Sequence, residues 1–314
     1  MQVKSDSFCC QYFFVVVLLG AEANTLKLSN KNKGIVLIVI SAFCFALMNM
    51  FVRLSGDLPT PEKGFFRNFI AFVFALVIML KNKQSFHFEK RNLPLLIGRS
   101  LAGTLGILGN FYAVDHLALG DASILNKMSP FFAVAFSLIF LKERLRLPQV
   151  LILLGAFFGA MFVVKPSFAN ADLLPSLCGF IGGVSAGAAY SMVRALGKRG
   201  EKGSFIVLFF SGVSCLSMIP FMFFEFKLPS LFQLIILILA GLSAAGGQFS
   251  ITAAYSYAPA KEISIYDYSQ IIFASALGFF VFSDIPDLFS VIGYVIIVVM
   301  AIVMFIYNNK KISE

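Results

Sequence analysis

Four charged side chains fall inside long apolar stretches, away from their end residues: Arg67, Arg99, Lys127 and Asp267. A charge in hydrocarbon costs about 2.5–3.5 kcal/mol on insertion scales, so each needs a partner, a route to the interface or a task. The set suits recognition of a solute better than bond-making. His87 and His116 are far apart and lie in breaks between apolar stretches, and the sequence holds no HExxH and no carboxylates clustered within a stretch. The five cysteines form no CxxC pair; Cys44, Cys178 and Cys215 lie in apolar runs and read as small hydrophobes. No metal and no cofactor is expected. A channel would show charged rings or repeated filter loops, and neither occurs. A membrane channel and a membrane-embedded enzyme are the alternatives to a carrier.

Uncharged polar residues line up with these four. Arg99, Gly103, Gly106 and Asn110 are separated by steps of 4, 3 and 4 and share one helical face. That face either packs closely against another helix through its glycines or lines a polar cavity. Gly241, Ala245, Gln248, Thr252 and Tyr255 make a similar stripe, with Gln248 at mid-membrane as an interhelical hydrogen-bonding group or a ligand contact. Gly179, Gly183 and Gly187 read as packing, and the same face continues to Tyr190. Asn49 stands in an otherwise apolar run, while Asn126 and Tyr266 each precede one member of the Lys127/Asp267 couple. The candidate lining of a solute site is therefore Asn49, Arg99, Asn110, Asn126, Lys127, Tyr190, Gln248, Tyr266 and Asp267. Arg67, near a helix end, reads as an arginine snorkelling to the interface.

The elements that position these residues follow from composition. Of 314 residues, 59% are hydrophobic and 13% charged, about half the charged share of a soluble domain. A bilayer, unlike a soluble core, can take up this much apolar surface. Ten apolar runs lie near 34–54, 64–80, 94–114, 120–141, 148–164, 173–194, 204–224, 232–256, 262–282 and 288–307. The fold class expected is an all-α polytopic membrane protein with ten transmembrane helices. The formal charge of +9 does not point to nucleic acid, because the basic residues sit in short loops. If residue 34 starts inside, 17 Lys and Arg fall in inner loops and 4 in outer ones. That bias places both ends of the ten-helix unit in the cytoplasm. Residues 1–29 stand outside the scheme: Phe13–Gly20 is too short to span, and although Ala21-Glu22-Ala23 has the look of a cleavage site, cleavage would leave a Lys-rich end to translocate. An uncleaved, dispensable extension is expected.

Runs three to five resemble runs eight to ten. Ala118-Leu119-Gly120 lies 140 residues before Ala258-Pro259-Ala260; Asn126-Lys127-Met128-Ser129 aligns with Tyr266-Asp267-Tyr268-Ser269; and, after a one-residue shift, Phe140-Leu141-Lys142-Glu143 meets Val281-Phe282-Ser283-Asp284. Five helices per copy is odd, so the copies enter the membrane from opposite sides. Such inverted repeats are typical of secondary transporters, whose site lies where the halves meet. The expected units are an extension at 1–29, a first five-helix repeat at 30–166 and a second at 172–308.

The segments Phe66-Arg67-Asn68-Phe69, Gly98-Arg99-Ser100-Leu101-Ala102-Gly103, Ala122–Pro130, Leu141-Lys142-Glu143, Tyr266-Asp267-Tyr268 and Phe282–Pro286 resemble the EamA-type branch of the drug/metabolite transporter superfamily over about residues 34–307. The resemblance implies ten helices in two five-helix repeats, an inner-membrane location and metabolite transport, with no substrate specified. Asp284 departs mildly from the glutamate usual at that place; it and Glu143 are expected to hold loops.

The expected function is alternating-access transport of a small polar solute, anionic or zwitterionic, with membrane lipid as the surrounding partner and no nucleic acid. Lys127 would meet an anionic group and Asp267 an ammonium end. At 1.5 Å per residue the two enter from opposite faces by about 10 and 9 Å, leaving roughly 10 Å between them in a 30 Å core. Direct contact is not expected.

Overall fold

The computed structural model describes residues 29–86, 88–116, 125–141, 146–164, 173–283 and 288–310. Residues 1–28 of the extension, residues 117–124, and Glu143 and Asp284 lie outside the described residues.

Within hydrocarbon every backbone N–H and C=O must be satisfied inside its own segment, so apolar runs of this length fold as helices. The described helices are α1 (Asn30–Leu54), α2 (Thr60–Lys81), α3 (Leu93–His116), α4 (Ser129–Leu141), α5 (Leu147–Val164), α6 (Leu173–Lys198), α7 (Gly203–Glu225), α8 (Leu231–Tyr257), α9 (Ala260–Phe282) and α10 (Leu288–Lys310). No strand occurs among the described residues. Seven helices are long and apolar enough to cross a membrane, and the chain is a multi-pass membrane protein. Apart from the start of the fourth run, which lies outside the described residues, the boundaries agree with the sequence reading to within a few residues. They are set by local chemistry: Ser29 caps α1 by accepting from the Asn32 N–H, and Ser230 and Gln233 form a reciprocal capping box on α8.

Two spans are not continuous. The fourth makes a turn at Lys127–Met128 before α4 resumes at Ser129. The ninth opens with Ala260–Ile263, tightens to a 3-10 stretch at Ser264–Tyr268 and resumes as an α-helix at Ser269. Pro130 accounts for the first break, since it has no N–H to continue the ladder. The open carbonyl of Lys127 accepts from the Tyr268 hydroxyl at 3.0 Å, so one break is satisfied by the other.

The helices pack in a definite set of pairs. α1 lies along α8, and α3 along α6; α2 lies on α7, and α5 on α10. α4 packs on α6 and α9 on α1, while α2 meets α8 and α3 meets α7. Small residues allow the closest of these approaches, as the absence of a hydrophobic driving force between helices in lipid requires. At Gly109 on α3 a β-carbon would fall inside contact distance of the Cys178 carbonyl and 3.1 Å from Gly182 Cα of α6. Gly187 admits the backbone of Ala133 on α4 and Gly183 that of Leu125, which bears out the packing role read from the sequence for these glycines. Leu105, Ile139, Phe158, Phe280 and Val295 point outward and are exposed, the surface a lipid environment covers.

Hydrogen bonds also join the loops flanking α2 and α7 at both ends. On the α2–α3 side, Ser204 donates to Gln84 at 2.5 Å and Asn92 donates to Glu201 at 2.8 Å, with Arg199 donating to Asn92 at 3.2 Å. At the other end the Lys227 N–H donates to Glu62 at 3.3 Å and Gln233 to the Ser55 carbonyl at 3.0 Å.

The close contact at Gly109 yields a prediction. Gly109→Ala should force α3 and α6 apart at a backbone-to-backbone contact and cost about 1–3 kcal/mol. A lower melting temperature of the detergent-purified protein checks it; an unchanged transition would show that the interface relaxes freely.

Candidate functional site

The two broken spans meet. The ammonium of Lys127 donates to Gln270 Oε1 at 2.6 Å, to Asp267 Oδ2 at 3.2 Å and to the Asp267 carbonyl at 3.3 Å. Its three N–H groups thus have three acceptors, the full complement an ammonium can use. Both residues of the ion pair are buried, at 5% and 4% exposure. This corrects the expectation that the two charges stand apart without direct contact. The depth estimate treated both spans as straight helices and counted only backbone rise, whereas each charge sits at a break and the lysine side chain adds its own reach.

Beside this pair lies a cavity of about 90 Å³. Of the residues expected to line it, Asn49, Arg99, Asn110, Asn126, Tyr190, Gln248 and Asp267 do so. Lys127 and Tyr266 do not; Lys127 is turned onto Asp267, and the Tyr266 hydroxyl is buried without a hydrogen-bond partner. Arg67, read as snorkelling, is instead 7% exposed and lines the cavity. It was misjudged from its nearness to a helix end, which says nothing of which face it occupies. Gln270 was missed altogether. Its only signal is its place three residues after Asp267, on the same side of the chain.

The two arginines are held by neutral groups. Arg67 donates through Nε to Met48 sulfur at 3.3 Å and through Nη1 to Asn68 Oδ1 at 3.1 Å. The Arg99 guanidinium lies over the Phe210 ring, 4.0 Å from its centroid, and its buried Nε has no hydrogen-bond partner. Gly103 makes room for this arrangement: a β-carbon there would collide with Arg99 Nη1 and sit 2.7 Å from the Phe210 ring. Gly106, by contrast, admits the backbone of Ala186 on α6. The stripe on α3 therefore serves both roles that its spacing left open. Gln248 donates within its own helix to Thr252 at 3.2 Å and also faces the cavity.

The cavity has an open and a closed end. Asn49, five residues before α1 ends, is exposed, and Ile107, Asn110 and Asn126 at the same end are half-buried. α1 and α3 face each other there across the cavity without the packing that joins α6 to α8. At the other end Tyr190 stacks on Tyr255 with ring centroids 5.1 Å apart, and Arg194 donates to the Ser256 carbonyl at 2.6 Å. The volume is smaller than the roughly 150 Å³ that admits benzene, so a metabolite enters only if the helices part further.

Known transporters resemble the chain over most of its length. Residues 32–165 match the EamA-like transporter family. Over 275 residues the chain is 33% identical to the pseudopaline exporter CntI of Pseudomonas aeruginosa strain UCBPP-PA14, covering 87% of this chain and 96% of the exporter. It is 24% identical to the S-adenosylmethionine uptake transporter of Rickettsia bellii, covering 80% of this chain and 84% of that one. A solved crystal structure superposes with a TM-score of 0.74 at 14% identity, covering 87% of this chain and 98% of the other, which speaks to the fold alone.

The buried ion pair yields a second prediction. Removing one partner leaves the other charge buried and unpaired, a loss of about 3–5 kcal/mol. Lys127→Ala and Asp267→Ala should each lower the melting temperature sharply, and the double variant should lose much less than their sum. Additive losses in that cycle would show that the pair is not energetically coupled.

Proposed function

The chain belongs to the EamA-like transporter family, and on that premise we propose that it carries a small polar metabolite, anionic or zwitterionic, across the inner membrane by alternating access, with Asn49, Arg67, Arg99, Asn110, Asn126, Tyr190, Gln248, Asp267 and Gln270 around the solute. The observation that carries this reading is the polar, cation-bearing cavity between elements of both halves, open at one end and closed at the other. Lys127 and Tyr266 shape the site without lining it.

Two inverted repeats, 30–166 and 172–308, account for the packing. Exchanging each helix for the one five places on turns the α1–α8 pair into α6–α3, α4–α6 into α9–α1 and α2–α8 into α7–α3, and leaves α2–α7 and α5–α10 as they are. The hydrogen-bonded loops at the two ends of α2 and α7 interchange in the same way. The most extensive departure from the pattern is at the cavity: α6 is packed on α8, whereas its counterparts α1 and α3 stand apart across the cavity. In an inverted-repeat carrier that asymmetry defines the facing state, and the opposite state closes α1 on α3 while opening α6 from α8. The excess of basic residues in the loops on the α6–α8 side supports a cytoplasmic position for that closed end and for both ends of the ten-helix unit. The alternatives, a membrane channel and a membrane-embedded enzyme, fit less well: a channel needs no gate that closes one end when the other opens, and an enzyme needs no pair of alternately closed ends.

A built β-carbon at Gly197 falls 3.0 Å from Ser256 Cβ, close enough for a disulfide once the backbones ease apart slightly. In proteoliposomes, saturable counterflow of a transported metabolite by a Gly197→Cys/Ser256→Cys variant should stop on oxidation and return with dithiothreitol. Full counterflow with the α6–α8 gate cross-linked would exclude alternating access at this gate. A reporter fused after residue 314 should be active only in its cytoplasmic form.

A further inference from the structure

Resting on the reading of the cavity as a solute site, we propose that Arg67 and Arg99 act as a two-cation clamp and that the solute they take carries two negative charges. The argument is one of charge accounting. Lys127 and Asp267 cancel each other, and the lysine has no N–H left to offer. The remaining ionised groups of the lining are Arg67 and Arg99, at 7% and 2% exposure. Neither has a carboxylate partner among the described residues. A guanidinium does not shed its proton, so neither can become neutral by titration.

The way each arginine is held points the same way. A structural arginine in a membrane interior is ordinarily closed off by a carboxylate or by backbone carbonyls. Arg67 spends two of its five N–H groups on a thioether and an amide. Arg99 makes no hydrogen bond among the described residues and rests its face on Phe210. Gly103 leaves room for the guanidinium itself to lie there at the edge of the cavity. Donors thus remain on both forks, bordering one cavity whose low polarizability strengthens any anion they meet. A zwitterion would bring an ammonium to an Asp267 already occupied by Lys127 and would leave the clamp's charge unchanged. A dianion neutralises it. The shared chemistry is met either by a dicarboxylate, one carboxylate per fork, or by a phosphomonoester lying between both forks.

The test is a charge ladder on the purified full-length protein, read as shifts in melting temperature and converted to Kd by titration. The probes are succinate, succinamate and succinamide, then glycerol 3-phosphate, and finally glutamine and putrescine. The expected order places succinate or glycerol 3-phosphate first, succinamate on the order of tenfold weaker, and succinamide, glutamine and putrescine without effect. Succinate leading identifies the dicarboxylate arm and glycerol 3-phosphate the phosphate arm. Arg67→Gln and Arg99→Gln should each erase the advantage of the dianion over succinamate, while Arg67→Lys and Arg99→Lys should retain part of it. The lysine variants keep the experiment decisive if a glutamine variant fails to fold. A flat ladder, binding of glutamine or putrescine at least equal to that of the dianions, or an advantage unchanged in all four variants would overturn the clamp. Counterflow separates the two proposals: saturable transport without charge selection leaves the carrier standing and the clamp refuted, and dianion binding without transport does the reverse.

Discussion

The contact between Lys127 and Asp267 is the constraint around which the rest is arranged. Each sits at an interruption in a membrane-spanning helix, where backbone groups are open and lipid offers nothing to satisfy them. The interruptions solve the problem together: the ammonium takes the carboxylate, the Asp267 carbonyl and Gln270, and Tyr268 caps the Lys127 carbonyl. A buried ion pair of this kind adds little stability over an apolar pair of like volume, because desolvation offsets its attraction. Its strength is specificity. Of the ways two broken helices could meet, only the one that joins these charges avoids a bare ion in hydrocarbon.

Arg67 and Arg99 show the opposite solution. Stacking on an aromatic ring in a desolvated site is worth about 2 kcal/mol, less than the several kcal/mol that burying an ion takes. The Phe210 contact orients Arg99 without compensating it. The same fold therefore neutralises one cation completely and leaves two others incompletely met beside an open space. Tyr190, Asn110 and Gln248 add donors and acceptors to that space but no formal charge.

Much of this was legible in the sequence. Helix number and limits followed from hydropathy, because the bilayer imposes one length scale on every span. The equivalence of Lys127 and Asp267 followed from the repeat, and Pro130 marked one of the two breaks. Their contact did not, because pitch arithmetic assumes straight helices and cannot see a 3-10 stretch at Ser264–Tyr268. Arg67 was hidden for a related reason: a residue one or two turns from a helix end reaches either the interface or the interior, and rotation about the axis decides. Rotation is set by neighbours such as α7 and α8, which are distant in sequence. Gln270 carried no mark to separate it from any other polar residue in an apolar run.

The self-paired helices carry one last consequence. In the proposed inverted repeat, a two-fold axis relating the halves would pass through the contacts that map onto themselves, from α2–α7 to α5–α10, past the cavity. The backbone around a solute there is nearly indifferent to being turned over. The charges are not, since Arg67 and Arg99 both come from the first half and Asp267 from the second. On the proposed reading, a solute on such an axis would take its orientation from those side chains and not from the backbone around it.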